Sequence, residues 1–255
     1  MANSARLDAA LAAASAAADL VRAAYAGEIT ARAKADGSPV TDADLAVEAA
    51  IRAIVEARFP QDGFYGEESA AARMDAEHVW IVDPIDGTKS FVRRYPMFST
   101  QIAVTRRGRI ELGVSSAPVF GEIAWAERGA GARLGGVPLA VSRIAAIEQA
   151  TLSTGNLRSL AGGPRWAAFG RLVTRLDRIR GFGDFLHYHL LAAGKIDAVL
   201  ESDIHVEDIA ALSVIVEEAG GRVTDLEGAP IGLGTRSILA TNGELHDSIL
   251  ESLNG

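Results

Sequence analysis

The chain has 255 residues, of which 49% are hydrophobic, and its formal net charge at pH 7 is −8. This length and composition allow one large domain with a substantial hydrophobic core, and the acidic balance argues against a general nucleic-acid-binding surface. The sequence contains no cysteine, which excludes disulfides, thiolate zinc sites and cysteine nucleophiles and fits a cytoplasmic location.

The N-terminal segment is rich in alanine and predicts a long amphipathic helix over 7–26, ending at Gly27. Asp8, Asp19 and Arg22 interrupt its apolar run well short of the ~20 residues of a membrane span. No other stretch approaches that length. We therefore expect a soluble protein with no membrane partner.

The segment 38–44 reads SPVTDAD and predicts a turn followed by the start of a helix. Thr41 is a plausible N-cap, and Asp42 and Asp44 lie in the first turn, where the helix dipole favours acidic groups. On spacing alone, this is an ordinary capping motif. The helix continues to Phe59, because Pro60 ends it.

The segment 63–69, GFYGEES, has a short apolar turn before Glu67 and Glu68. Neighbouring glutamates are usually solvated surface residues. A divalent cation such as Mg²⁺ or Ca²⁺, however, needs oxygen ligands from more than one segment, and these two glutamates could supply one.

The most informative segment is 80–91, WIVDPIDGTKSF. Its first three residues predict a buried strand, and the acidic residues Asp83 and Asp86 follow that strand around Pro84. Pro84 restricts the backbone conformation of this turn and so holds the two carboxylates close together. They repel each other unless a cation binds between them.

Gly87 and Thr88 come directly after the two aspartates, where the backbone N–H groups of a helix start could hold an anion such as phosphate. Carboxylates for a metal beside amides for a phosphate indicate metal-assisted phosphoryl chemistry. The alternative is a strand, an Asp-Pro turn and a capped helix with no chemical role.

The rest of the sequence predicts α and β elements in layers, an α/β (α+β) fold. Strands over 98–104, 110–115, 121–126 and 130–134 form a meander, and the predicted later elements are strands over 150–153, 179–182, 196–201, 223–224 and 237–241 and helices over 169–176, 184–193, 209–219 and 245–253. His187 and His189 are two residues apart and face different sides of a helix. We interpret them as structural rather than as a zinc pair.

Four motifs occur in order, SPVTDAD, GEES, DPIDGTKSF and EDIAALSVIVEEAGG, the last over 207–221. Together they resemble the inositol monophosphatase-like family of magnesium-dependent phosphatases, and the resemblance covers about 34–253. It implies a single domain over 1–255, a layered αβαβα sandwich with sub-halves over 1–141 and 142–255. It also implies a homodimer, inhibition by lithium and a phosphate monoester as substrate.

The resemblance also implies a site with two or three Mg²⁺ ions, for which Mn²⁺ is an alternative. Its metal ligands would be Glu67, Asp83, the carbonyl oxygen of Ile85, Asp86 and Asp208. Asp44 and Thr88 would orient the attacking water, which Glu67 would help to position through its metal. The backbone of Gly87 and Thr88 would hold the phosphate.

The segment 181–194, GFGDFLHYHLLAAG, resembles the histidinol-phosphate phosphatase branch, because Gly183-Asp184 stands where inositol phosphatases have a Gly-Thr-Ala type sequence. The substrate that this branch implies, L-histidinol phosphate, carries a primary ammonium group, which Asp184 and Glu201 would bind. Glu201 discriminates less, because inositol phosphatases also have a glutamate at its position. Glu207 departs from the family, which has Trp or Tyr there, so a pocket wall is missing or replaced. The added carboxylate would favour a cationic substrate, and the alternative is a related but different phosphate ester.

Two alternatives remain open from the sequence. One is an inositol-1-phosphate or broad sugar-phosphate phosphatase. The other is a noncatalytic regulatory protein that binds magnesium and a phosphorylated metabolite.

Overall fold

A computed structural model describes residues 3–35 and 37–255 of the chain. The helices among these residues are α1 (Ala5–Ala26), α2 (Asp42–Arg58), α3 (Thr88–Val92), α4 (Arg158–Ala161), α5 (Trp166–Val173), α6 (Asp184–Ala192), α7 (Val206–Glu218) and α8 (His246–Asn254). A 3₁₀ turn covers Ile147–Gln149. None of these helices is long and apolar enough to cross a membrane.

The strands in the described chain fall into a hairpin and two sheets. The hairpin consists of β1 (Ala31–Ala33) and β2 (Pro39–Thr41). The first sheet contains, in spatial order, β3 (Gly63–Gly66), β4 (His78–Asp86), β5 (Ser99–Arg106), β6 (Arg109–Ala117), β7 (Glu122–Glu127), β8 (Gly131–Leu134) and β9 (Val137–Pro138). The second contains β10 (Thr151–Thr154), β11 (Arg178–Arg180), β12 (Ala198–Ser202), β13 (Arg222–Thr224) and β14 (Ser237–Thr241), in the spatial order β11-β10-β12-β14-β13.

The predicted meander corresponds to β5–β8, and it continues to β4 on one side and to β9 on the other, with every neighbouring pair from β4 to β9 antiparallel. The prediction of a turn over 63–66 was wrong, because this segment is β3 and pairs in parallel with β4. Two glycines in four residues hide the strand signal. Gly63 is needed there, since a Cβ on it would lie 2.3 Å from the carbonyl oxygen of Arg73.

The layers follow the predicted αβαβα order. Helices α1 and α2 cover the outer face of the first sheet, and the alanines of α1 allow close packing because those at 9, 10, 13, 14 and 17 are fully buried. Helices α6 and α7 lie between the sheets, where α7 contacts strands of both. Helices α5 and α8 pack together on the far side of the second sheet.

Several element boundaries differ from the sequence predictions. The central strand β4 extends to Asp86, so both aspartates lie within it, at an irregularity in the pairing with β5. Helix α7 begins at Val206, two residues before Asp208, and α5 begins at Trp166 rather than at 169. In α7 the early start makes Asp208 a capping residue that accepts a hydrogen bond from the backbone N–H of His205 (2.7 Å).

Candidate active site

A cavity of about 550 Å³ opens where the C-terminal end of β4 meets the beginnings of α3, α6 and α7. Most of the residues predicted for the site line it, namely Glu67, Asp83, Ile85, Asp86, Gly87, Thr88, Asp184, Glu201 and Asp208. Asp44 lies behind them. Acidic side chains outnumber basic ones in this lining, so the cavity attracts cations.

Three of the acidic side chains form a compact group at the floor of the cavity. Asp83, Asp86 and Asp208 each offer a carboxylate oxygen within 4.8 Å of the other two. Burial raises the pKa of Asp83 and of Asp86 well above the usual range, and neighbouring carboxylates raise them further. Burial is also the main reason that the pKa of Asp208 rises to about 7. The group is therefore under electrostatic strain that a bound cation would relieve.

Glu67 lies outside this trio but close to it, because its negative charge contributes to the raised pKa values of Asp83 and Asp208. Glu67 Oε2 and Asp83 Oδ1 are buried without a hydrogen-bond partner among the described residues. A buried carboxylate oxygen without a partner is costly in a metal-free protein and is the expected condition of a metal ligand. The donor set therefore fits a cation that prefers oxygen ligands.

Lys34, at the tip of the β1–β2 hairpin, also contacts this acidic region, which the sequence analysis did not predict. Its Nζ lies 2.7 Å from Glu67 Oε1 and 2.6 Å from Glu68 Oε1. Partial burial alone would lower the pKa of Lys34, but the two glutamates outweigh it and hold that pKa above its usual value. The ammonium group thus neutralises part of the acidic charge.

Asp44 and Thr88, the two residues expected to orient the attacking water, lie next to each other. Thr88 Oγ1 is 3.4 Å from Asp44 Oδ1 and 3.0 Å from the carbonyl oxygen of Ile85, so its single proton can be given to either acceptor. Asp44 also caps α2, because the backbone N–H and the hydroxyl of Thr41 donate to its Oδ2. Burial raises the pKa of Asp44. The side chain that caps α2 is therefore the same one that lies beside Thr88.

Gly87 connects β4 to the short helix α3. Its φ of +87° is in the left-handed region, and a Cβ on it would lie 2.5 Å from the carbonyl oxygen of Met97. Only glycine tolerates both conditions without a shift of the backbone. The turn sets the direction in which Thr88 enters the cavity.

Asp184, on α6, and Glu201, on β12, line the same cavity, and the charges of both contribute to the raised pKa of Asp86. Asp184 begins α6 with a strained φ of +45°. Burial and the charge of Glu201 raise the pKa of Asp184 to about 6. Burial would also raise the pKa of Glu201, but His187 and hydrogen bonds from neighbouring groups hold it below its usual value.

The two histidines of α6 are buried and face different partners, as their spacing predicted. His187 Nε2 lies 3.1 Å from Glu201 Oε2, and His189 Nδ1 lies 3.0 Å from Glu122 Oε2. The sequence analysis treated both as structural and so missed the contact between His187 and a cavity residue. Because Glu201 is 14 positions away and on a different element, no local pattern indicates this pair.

Glu207 does not form a wall of the cavity. Its side chain is largely buried, its Oε2 has no hydrogen-bond partner among the described residues, and it is not among the cavity-lining residues. Glu207 therefore does not replace the missing aromatic wall, and the expectation that its charge favours a cationic substrate stays a prediction. Its charge acts instead on Asp208, where it adds to the rise in pKa that burial causes.

Comparisons with known proteins agree with this geometry. A model of the inositol monophosphatase family matches residues 3–255. A histidinol-phosphatase of Mycobacterium tuberculosis is 43% identical over 226 residues, covering 87% of this chain and 86% of that protein. A fructose-1,6-bisphosphatase/inositol-1-monophosphatase of Thermotoga maritima is 34% identical over 216 residues, covering 84% of this chain and 82% of that protein.

The fold is also similar to a solved structure. The extragenic suppressor protein suhB of Bartonella henselae superposes with a TM-score of 0.90 at 30% identity, and the match covers 98% of each chain. The chain belongs to the inositol monophosphatase family and is a phosphoric monoester hydrolase.

Proposed function

We propose that the protein hydrolyses L-histidinol phosphate to L-histidinol and inorganic phosphate with the help of Mg²⁺. The observation that carries this proposal is that Asp184 and Glu201 line the same cavity as the trio Asp83, Asp86 and Asp208. The trio lies at the end of the cavity suited to bind metal ions and the phosphate group. Asp184 and Glu201 are suited to bind the positively charged alcohol part of the substrate.

The metal end is best suited to Mg²⁺, with Mn²⁺ as the alternative, because every proposed donor is an oxygen. Asp83, Asp86, Asp208, Glu67 and the carbonyl oxygen of Ile85 would hold two or three ions. When bound, such ions lower the pKa of water and neutralise charge on the phosphate oxygens.

The protein residues then supply positions and hydrogen bonds. Asp44 and Thr88 form a donor–acceptor pair 3.4 Å apart beside the cavity, which suits them to orient a water molecule for attack on phosphorus. The backbone of Gly87 and Thr88 at the start of α3 would hold phosphate oxygens. No protein nucleophile is needed, because phosphoryl transfer depends mainly on positioning and on stabilisation of charge.

The alcohol end favours a substrate with an ammonium group. Asp184 and Glu201 repel each other, since the charge of Glu201 adds to the rise in the pKa of Asp184 that burial causes. An ammonium between them would relieve this repulsion through charge-assisted hydrogen bonds, whereas a neutral polyol would not. The 43% identity with a protein named histidinol-phosphatase supports the same substrate.

A second candidate is hydrolysis of inositol 1-phosphate or of a broad range of sugar phosphates. Glu201 favours it, since a carboxylate can accept hydrogen bonds from hydroxyl groups as well as from an ammonium. The similarity to the Thermotoga maritima protein supports it too.

The test is phosphate release from L-histidinol phosphate, inositol 1-phosphate and fructose 1,6-bisphosphate, each with Mg²⁺, Mn²⁺ or a chelator. We expect the highest kcat/KM for L-histidinol phosphate and no release with the chelator. Faster turnover of inositol 1-phosphate would contradict the substrate, and release in chelator would contradict the metal. A lack of release from all three esters would contradict both candidate substrates and indicate a different phosphate monoester.

A role in histidine biosynthesis, a cytoplasmic location, a homodimeric state and inhibition by Li⁺ belong to the same proposal. Light scattering of the purified protein tests the homodimer. Loss of phosphate release in millimolar Li⁺ tests the inhibition.

A further inference from the structure

Glu201 is enclosed by hydrogen-bond donors from the second half of the chain. His187 Nε2 lies 3.1 Å from Glu201 Oε2, and the hydroxyl of Tyr188 donates to the same oxygen at 2.7 Å. The backbone N–H of Asn156 donates to Oε1 at 3.3 Å. Gly155 permits this approach, because a Cβ on it would lie 1.5 Å from Oε1.

The direction of the hydrogen bonds fixes the tautomer of His187. The backbone N–H of Phe182 donates to Ser153 Oγ, so the hydroxyl proton of Ser153 is free to point at His187 Nδ1, 3.2 Å away. Nδ1 then accepts, and the neutral imidazole carries its proton on Nε2, toward Glu201. His187 therefore donates to the carboxylate without having to be charged.

These donors leave Glu201 one acceptor position. A carboxylate has about four lone-pair sites, and the ring of His187, the hydroxyl of Tyr188 and the backbone of Asn156 occupy three of them. Glu201 is only 5% exposed, yet it is among the residues that line the cavity. One position thus remains for a group of the substrate, in a direction that the protein sets.

We propose that His187 is a positioning residue that holds Glu201 in place and ionised, and so makes the enzyme selective for phosphate esters whose alcohol part carries a positive charge. This inference rests on the proposed function and deepens it. His187 is itself fully buried and is not among the cavity-lining residues, so it acts through Glu201 and not by touching the substrate.

The selectivity follows from the pairing of two carboxylates. Asp184 and Glu201 repel each other, and the repulsion persists only while Glu201 is ionised. Without the hydrogen bond from His187, burial favours the protonated form of Glu201, which is neutral and can turn away. A cationic ester would then lose a charge partner, whereas a neutral ester would lose at most a hydrogen bond.

The experiment compares L-histidinol phosphate with glycerol 2-phosphate, a neutral-alcohol ester, in the wild type, His187→Leu and His187→Gln. We expect His187→Leu to lower the ratio of kcat/KM between the cationic and the neutral ester at least tenfold, mainly through the KM of the cationic ester. His187→Gln retains an N–H donor and should restore part of the ratio. Calorimetric titration with L-histidinol should show the highest affinity in the wild type, an intermediate affinity in His187→Gln and the lowest in His187→Leu.

His246→Gln is the matched control, because His246 is an equally buried histidine whose hydrogen bonds go to Thr224 and Thr241. In His246→Gln the ratio of kcat/KM between the cationic and the neutral ester should stay at the wild-type value, even if the thermal stability of the variant falls. An unchanged ratio in His187→Leu, or an equal loss for both esters, would overturn the inference and leave the proposed function intact. A wild type with no preference for the cationic ester would overturn both.

Discussion

Ser99 donates a hydrogen bond to the Asp86 carboxylate, with Ser99 Oγ 3.3 Å from Asp86 Oδ2. Gln101 sets the direction of this bond, because its Nε2 donates to Ser99 Oγ (2.7 Å) and to Ser115 Oγ (3.2 Å). Ser99 therefore accepts from Gln101 and has its own proton free for Asp86. Ser115 Oγ in turn lies 2.9 Å from His189 Nε2, so a buried polar chain connects α6 with the candidate metal site.

We expect Ser99→Ala to weaken metal binding by about tenfold, because partners that orient a ligand typically contribute 10- to 100-fold to metal affinity. Isothermal titration calorimetry of the metal-free protein with Mn²⁺ measures this change in affinity directly. Ser252→Ala is the control, since the hydroxyl of Ser252 donates to the backbone of its own helix, at Ser248 O, far from the cavity lining. Equal Mn²⁺ affinities in both variants would show that Ser99 does not orient Asp86.

The residues of the central stretch could be assigned from the sequence because their chemistry is local. Asp83, Asp86 and Gly87 follow one another at the end of a strand, and their spacing brings two carboxylates and a sharp turn together whatever the rest of the chain does. Asp208 could be added only through the family resemblance. Its position in the cavity depends on where α7 packs.

The contacts that the sequence did not predict join segments far apart in the chain. Lys34 meets Glu67 and Glu68 only because the β1–β2 hairpin folds toward the end of β3. His187 meets Glu201 only because α6 packs against β12. Neither contact produces a periodic pattern in the sequence, since the packing of whole helices and strands sets the positions of the partners.

We expect Asp86→Asn to lower kcat at least about 1000-fold, equivalent to about 4 kcal/mol of transition-state stabilisation, because it removes an anionic ligand from the trio. In metal-free protein the same change should leave the melting temperature equal or higher, since it removes a buried carboxylate and with it the repulsion from Asp184 and Asp208. Phosphate release and calorimetric melting check the two parts. Asp19→Asn, on the exposed face of α1, is the control. Retained turnover would remove Asp86 from the metal site.

His246 should make the folded state less stable in acid. Burial, together with the charge of Arg222, lowers the pKa of His246 to about 4. Thr224 donates its proton to the carbonyl oxygen of Asp225 and so accepts from His246 Nε2, while Thr241 is left to donate to Nδ1. The native site therefore holds a neutral ring, and a second proton would displace the donor at Nδ1.

The sign of the effect follows from proton uptake. Below about pH 6.5 the unfolded chain binds a proton at His246 that the folded chain does not bind until about pH 4, so stability is lost as pH falls through this interval. We expect a loss of at most about 3 kcal/mol, because each unit of difference between the folded and the unfolded pKa is worth about 1.4 kcal/mol. Urea unfolding of wild type and His246→Gln from pH 7 to pH 4 measures it. If the free energy of unfolding fell equally with pH in the two proteins, His246 would not be the group responsible for the loss.

Gly87→Ala should damage both folding and turnover. Its φ of +87° costs a residue with a Cβ about 1–2 kcal/mol, and the new atom would lie 2.5 Å from Met97 O, so we expect a total loss of about 3 kcal/mol in the free energy of unfolding. Gly108→Ala is a matched control, because Gly108 has a similar φ of +79° and a Cβ on it would meet no other atom within 4 Å, which predicts a loss of only about 1 kcal/mol. Because Gly87 sets the direction of Thr88, turnover should fall in Gly87→Ala and not in Gly108→Ala. Equal stability and equal phosphate release in the two variants would mean that the turn after β4 tolerates a side chain and does not fix the geometry of the site.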